Sequence, residues 1–217
     1  MKSSLIKITC PECKQQTDFE IYQTIDLNKE PELAQRLMNL SLFRFVCPKC
    51  GCNVLVEYPF SVMDDHEMFF IFCFPGNKDV TEDNVKLISL TTNNAVKDKG
   101  FLFRFVDNRE ALSEKISIFY TDYDDRAIEV YKLKNDSLWH KRFPTMTAAY
   151  FANDVRKGLS IYIFSNLQLL AVLPFKETEY DAIVDKYFYD SDLRNQDLKV
   201  VNRAWAQEYL EQFEKVS

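Results

Sequence analysis

The 217-residue chain is 47% hydrophobic and 28% charged with a formal net charge of -6, an ordinary globular composition that argues against a disordered chain. Residues 1–75 hold 7 basic and 10 acidic side chains against 20 and 23 in the rest, so neither part has the cationic excess that general phosphate-backbone binding uses. The four glycines, Gly51, Gly76, Gly100 and Gly158, are too widely separated to build a glycine-rich phosphate loop or a nucleophile elbow.

Residues 1–9 contain a short apolar stretch broken by Lys7, unlike the core of a secretory signal. A cytoplasmic location is expected, and in a reducing compartment paired cysteines are metal ligands or redox groups more often than disulfides. An alternating strand over 5–9 runs into Cys10-Pro11-Glu12-Cys13, and a second strand over 19–25 leaves it. The pattern recurs with a strand over 42–46, the turn Cys47-Pro48-Lys49-Cys50 and a strand over 54–58. Between the two hairpins Asn28 is expected to cap a helix with Pro31 in its first turn and Leu33, Leu37 and Leu40 on one face.

Further on, an apolar strand over 68–74 precedes Pro75-Gly76-Asn77, the clearest turn signal in the chain and a soft boundary. A strand over 101–106 leads to a helix capped by Asn108 with Leu112, Ile116 and Phe119 aligned, and a second helix is expected over 122–134. Strands over 147–152, 159–164 and 167–173 form a meander. The apolar run 159–175 is interrupted by Ser165, Asn166 and Gln168, which suits a buried hairpin better than a bilayer span. Two helices follow, one aligning Tyr180, Ile183, Val184 and Tyr187, the other starting at Asn202 and carrying Trp205, Ala206, Tyr209, Leu210 and Phe213. Strands and helices without regular βαβ alternation predict an α+β protein.

Two tight turns that each carry two cysteines present four thiolates at the corners of a tetrahedron, the arrangement zinc prefers. The spacing C-x2-C-x33-C-x2-C assigns Cys10, Cys13, Cys47 and Cys50 as ligands of one structural zinc per chain, and the inserted helix accounts for the long middle. The fold expected is therefore a four-cysteine zinc ribbon with an inserted helix, followed by mixed strands and helices. Iron in the same ligand set, giving a rubredoxin-like carrier, is the alternative; Cys50-Gly51 suits it, whereas Lys14 stands where a positive φ favours glycine. A disulfide oxidoreductase would place its cysteine pair at the start of a helix, and an alternating strand follows each pair instead. Cys52 is a possible replacement ligand but reads first as a strand cysteine, and Cys73 as an apolar core residue.

His66 lies among Asp64, Asp65 and Glu67, which a second metal or acid–base site would need; a solvated acidic loop is the preferred reading, since no second histidine or cysteine lies near in sequence. His140 follows Trp139 without an evident partner. Asp124 and Asp125, with Arg126 and Glu129, would serve a hydrolase as general acid and base or magnesium ligands; the plainer reading is an acidic first helical turn. No catalytic residue is assigned. Nucleic-acid binding by the ribbon would need a local patch of Lys7, Lys14, Arg36, Arg44 and Lys49 and is disfavoured by the acidic balance.

The two cysteine motifs, with Ile25-Asp26-Leu27, Pro31-Glu32-Leu33, Leu42-Phe43-Arg44-Phe45, Tyr58-Pro59-Phe60, Arg104-Phe105-Val106, Glu114-Lys115-Ile116 and the run 124–129, resemble the CpXC domain family of bacteria and archaea. The resemblance implies a metal-binding domain without an assigned reaction. It covers about residues 7–133 and suggests a domain over 1–133, with 134–217 a C-terminal meander and helices or part of the same core. The function expected is a zinc-stapled binding or interaction module with a protein partner, in preference to nucleic acid or membrane.

Overall fold

The computed structural model describes residues 2–76, 100–166, 168–189 and 200–216. These fall into two compact units, one reaching Arg109 and the other beginning at Glu110.

In the first unit, β1 (Lys2–Thr9) and the long β2 (Gln16–Asp26) form an antiparallel hairpin whose turn is the first cysteine motif. The end of β2 pairs in parallel with β5 (Phe60–Asp64) through Thr24↔Ser61 to Asp26↔Met63. Then β5 pairs antiparallel with β6 (Phe69–Cys73), and β6 in parallel with β7 (Leu102–Val106), giving the order β1-β2-β5-β6-β7. One strand thus carries the cysteine turn at one end and is anchored in the sheet at the other. The second motif joins the short hairpin β3 (Arg44–Val46) and β4 (Asn53–Leu55).

Phenylalanine enrichment has its reason at the parallel pair β6–β7. Register sets Phe70 beside Phe103 and Phe72 beside Phe105, with ring centroids 5.9 and 4.9 Å apart, the cross-strand contact that stabilises a sheet. The strand β5 is not among the sequence expectations; five residues after Pro59 give too short a pattern to stand alone, and its pairing partners supply the rest.

Helix α1 (Pro31–Met38) buries Leu33 and Leu37 and has Pro31 at its start. Its cap residue is Glu30, not Asn28 as expected, because Asp26 Oδ1 accepts from the Asn28 and Lys29 N–H groups and forms a turn before the helix. Leu40, expected on the helix, lies beyond it with φ 62°, and a 3-10 turn over Ser41–Phe43 leads into β3. The expected turn is present at Pro75 and Gly76, while Asn77 lies outside the described residues.

In the second unit, α2 (Arg109–Phe119, its first residue in the other unit) and α3 (Asp125–Arg142) precede the antiparallel sheet β8 (Ala148–Asp154), β9 (Gly158–Ser165) and β10 (Gln168–Pro174), with β9 central. Helices α4 (Glu177–Tyr187) and α5 (Arg203–Val216) pack on α3. The expected helix over 122–134 starts three residues later and continues eight further, since Asp124 accepts from the Arg126 N–H as a cap and Trp139 is buried in the last turns. Leu167 lies outside the described residues. The hairpin over 159–175 is buried along β9 and at Phe175; on β10, an edge strand among the described residues, Leu169 and Leu170 are 46% and 38% exposed, a correction to the buried hairpin expected. Among the described residues no helix is long and apolar enough to cross a membrane.

Candidate metal centre

Each cysteine motif builds the same turn. The N–H of the first cysteine donates to the carbonyl five residues on, Cys10 to Gln15 at 2.9 Å and Cys47 to Cys52 at 2.8 Å. The N–H four residues on donates back, Lys14 to Cys10 at 3.1 Å and Gly51 to Cys47 at 2.9 Å. Closing that loop requires a left-handed residue at the fifth position, and Lys14 and Gly51 have φ 60° and 72°. Lys14 adopts the glycine conformation despite its side chain, whose Nζ donates to the Pro11 carbonyl at 2.7 Å.

The two turns face each other and bring the four cysteines together. Cys10 and Cys50 Sγ are 3.7 Å apart, Cys13 and Cys47 Sγ 3.5 Å, and all four lie within 4.8 Å of one another. A tetrahedron of sulfurs bonded to zinc at about 2.3 Å has edges of about 3.8 Å, so the cage fits a four-thiolate ion. All are free thiols; Cys10 and Cys47 are buried, Cys13 is half-buried and Cys50 exposed. Among the described residues this is the one group of three or more potential ligands close enough to share an ion.

Electrostatics point the same way. The Cys13 and Glu12 N–H groups donate to Cys10 and, against the cost of burial, lower its thiol to about 6; Cys47 is lowered likewise by the N–H groups of Cys50 and Lys49. The Cys52 N–H favours the Cys50 thiolate too, but burial and the adjacent thiols Cys13, Cys10 and Cys47 outweigh it and push Cys50 up to about 12. Four thiols this close oppose one another's ionisation, and a divalent cation at their centre would supply the countercharge.

Around the cage the apolar support is small. Cys10, Phe45 and Cys47 are its buried residues, with Ile8, Phe19, Cys52, Val54 and Val56 partly buried against them, and Phe19 meets Phe45 edge-on at 6.2 Å. Cys52 thus packs on the cage outside the four. Its backbone closes the second turn and donates to Cys50, a role that side-chain spacing does not reveal.

The other sequence candidates are accounted for separately. Asp64 is buried and accepts from the His66 and Glu67 N–H groups, Asp65 pairs with Lys29, and His66 Nδ1 contacts Glu67 at 2.8 Å. His140 has Asp136 one turn earlier, at 3.4 Å. Cys73 is fully buried. Of the basic residues, Lys7 pairs with Asp18 at 2.9 Å and Arg36 contacts the Tyr22 hydroxyl at 3.4 Å.

Asp124 and Asp125 are not an open catalytic pair; they stand at the start of α3 as the plainer reading expects, Asp124 as its cap and Asp125 in its first turn, and both are buried. Asp124 binds Arg126 through both carboxylate oxygens, and Asp125, 1% exposed, meets Lys115 Nζ at 2.8 Å. Glu129 continues this buried network, 3.6 Å from Lys115 and 2.9 Å from Lys132, while Glu114 accepts from Lys132 and from the Phe151 N–H. Burial pulls the Lys132 ammonium down, but Glu114 and Glu129 outweigh it and hold it above the usual lysine range. The sequence signal for the network, charges at helical spacing in an otherwise apolar segment, is indistinguishable from that of a solvated helix face.

A family model described as CpXC protein matches residues 8–132, which is more than half of the chain and includes all four cysteines. Neither a curated protein nor a solved structure matches the chain.

Proposed function

From the chain's membership of the CpXC family, we propose that Cys10, Cys13, Cys47 and Cys50 hold one structural zinc ion per chain, in a cytoplasmic protein that works as a binding module for another protein. The observation that supports this is the closed cage, with sulfur edges of 3.5 and 3.7 Å. Four protein thiolates complete zinc's preferred tetrahedron and leave no coordination position for a substrate. Zinc would supply there a fixed charge and four bonds that tie two hairpins together. The chain's own part is to aim the turns and to hold the thiolates with backbone N–H groups.

The binding role draws support from the second hairpin. Its outward face carries Arg44, Val46, Asn53 and Leu55, and Val46 and Leu55 are 55% and 45% exposed. Apolar side chains beside a cation suit a protein surface more than a phosphate backbone. Metal analysis of purified protein tests the site: about one zinc per chain is expected, whereas stoichiometric iron with visible absorbance would assign the electron-carrier chemistry instead. Replacing Val46 and Leu55 by glutamate should retain zinc and abolish capture of a protein partner; unchanged capture would remove this face from the account.

A further inference from the structure

The second unit contains a groove between α3 and α4 of about 390 Å³, lined by Lys134, Asn135, Glu179, Ala182, Ile183, Lys186 and Tyr187, a volume within the range of small-molecule sites, roughly 300 to 1,000 Å³. Two of its walls are ammonium groups. Lys134 Nζ and Lys186 Nζ lie 5.1 and 5.0 Å from the centroid of the same Tyr187 ring. Neither makes an ion pair with a described carboxylate, whereas Lys115, Lys132 and Lys176 all do. The ring is buried and fixed behind by Phe213, edge-on at 4.9 Å.

Two ammonium groups thus stand beside one uncharged ring, at exposed positions where an anion from solvent can reach both. Burial by itself would raise the Tyr187 phenol, yet Lys134 and Lys186 overcome that and hold it below the usual tyrosine range. The groove favours negative charge at this end. The one carboxylate in its lining, Glu179, has Oε1 bound to Lys176 at 2.6 Å and Oε2 to the Asn135 amide at 3.4 Å, so it leaves the lysines uncompensated.

We infer that this groove is a binding site for a small phosphate monoester, with its phosphate between Lys134 and Lys186 and its apolar body against Ile183, Ala182 and the Tyr187 ring. Two lysines supply two point charges without a planar fork, which matches a phosphate dianion better than a singly charged carboxylate. The second phosphate ionisation lies near about 6, so the ligand is a dianion at neutral pH. The site is independent of the cysteine cage and of the function proposed for it.

Titration calorimetry on the full zinc-loaded chain at pH 7.5, with phenyl phosphate as the probe, tests the inference. Saturable one-to-one binding is expected, weakened by about tenfold or more in Lys134→Ala/Lys186→Ala, the factor that about 1.4 kcal/mol represents. Inorganic phosphate and benzoate should each bind more weakly than phenyl phosphate, the first for want of an apolar body and the second for want of charge. Absence of binding at millimolar phenyl phosphate, or equal affinity in the double variant, would overturn the site. Benzoate binding as tightly as phenyl phosphate would overturn the dianion assignment, and inorganic phosphate doing so would overturn the apolar contact. Both lysines are exposed, so the variants are expected to fold, and an unchanged melting curve confirms it.

Discussion

At Lys14 and Gly51 the same turn is made by two different residues, and the difference is measurable. A side chain in the left-handed region costs about 1–2 kcal/mol. Gly51→Ala meets no atom within 4 Å of the added carbon, so its whole cost, about 1–2 kcal/mol, should come from backbone conformation. Lys14→Gly should act in the opposite direction and stabilise by about 0.5–1 kcal/mol, after the greater entropy loss of glycine. Chemical denaturation midpoints at constant slope check both; a stabilising Gly51→Ala would mean that the second turn does not have the geometry described. The cysteines themselves were legible because two repeats of Cys-Pro-x-Cys predict mirrored turns, and the glycine after Cys50 predicts the positive φ. Lys14 was legible only as a departure from that pattern, since no sequence rule says whether the turn yields or the side chain accepts strain.

Among the elements, α2 and α3 hold buried charges whose burial no sequence pattern marks. Helical periodicity identifies the apolar positions Leu112, Ile116 and Phe119, all buried as expected. It fails for Glu114, Lys115, Asp125 and Glu129, which are equally buried, because a charge is read as solvated unless its partner on another helix is known. Breaking one member of a buried pair costs about 3–5 kcal/mol, against about 0.3–1 kcal/mol for a charge that only complements a helix dipole. Asp125→Asn and Lys115→Met are therefore each expected to lose about 3–5 kcal/mol in urea unfolding. The double variant Lys115→Met/Asp125→Leu should recover part of that loss by removing both charges together. A loss below about 1 kcal/mol for Asp125→Asn would return that residue to the helix-start role. Strand β10 shows a similar limit: its apolar run is plain in the sequence, but whether Leu169 and Leu170 are covered depends on what lies beyond the edge, which no local pattern encodes.

Taken whole, the chain keeps its cysteine cage and its buried ionic network in different units. The second unit closes its own aromatic core, in which Tyr123 contacts Phe151, Phe175 and Tyr180 at 5.7, 5.5 and 4.8 Å. A fragment of residues 110–217 is expected to unfold cooperatively without bound zinc, as circular dichroism and metal analysis would show; a fragment without a cooperative transition would mean that the units form one folding core. The α+β class was legible from the mixture of periods 2 and 3.6. The sheet order was not, since two of its four pairings are parallel and link strands distant in the chain.

The ribbon in the first unit rests on three buried residues, two of them cysteines, an apolar core too small to hold two hairpins without a further bond. Structural zinc contributes about 10–16 kcal/mol of binding free energy in small domains, against net stabilities of about 5–15 kcal/mol for whole domains. The direct test of the four-thiolate site is the melting temperature and zinc content of Cys47→Ser beside the wild-type protein with and without a strong chelator. The substitution is expected to abolish stoichiometric zinc, and substitution and chelator are each expected to lower the melting temperature sharply. Retention of both zinc and stability in Cys47→Ser would contradict the four-thiolate site, as would a chelated wild-type protein that melts unchanged.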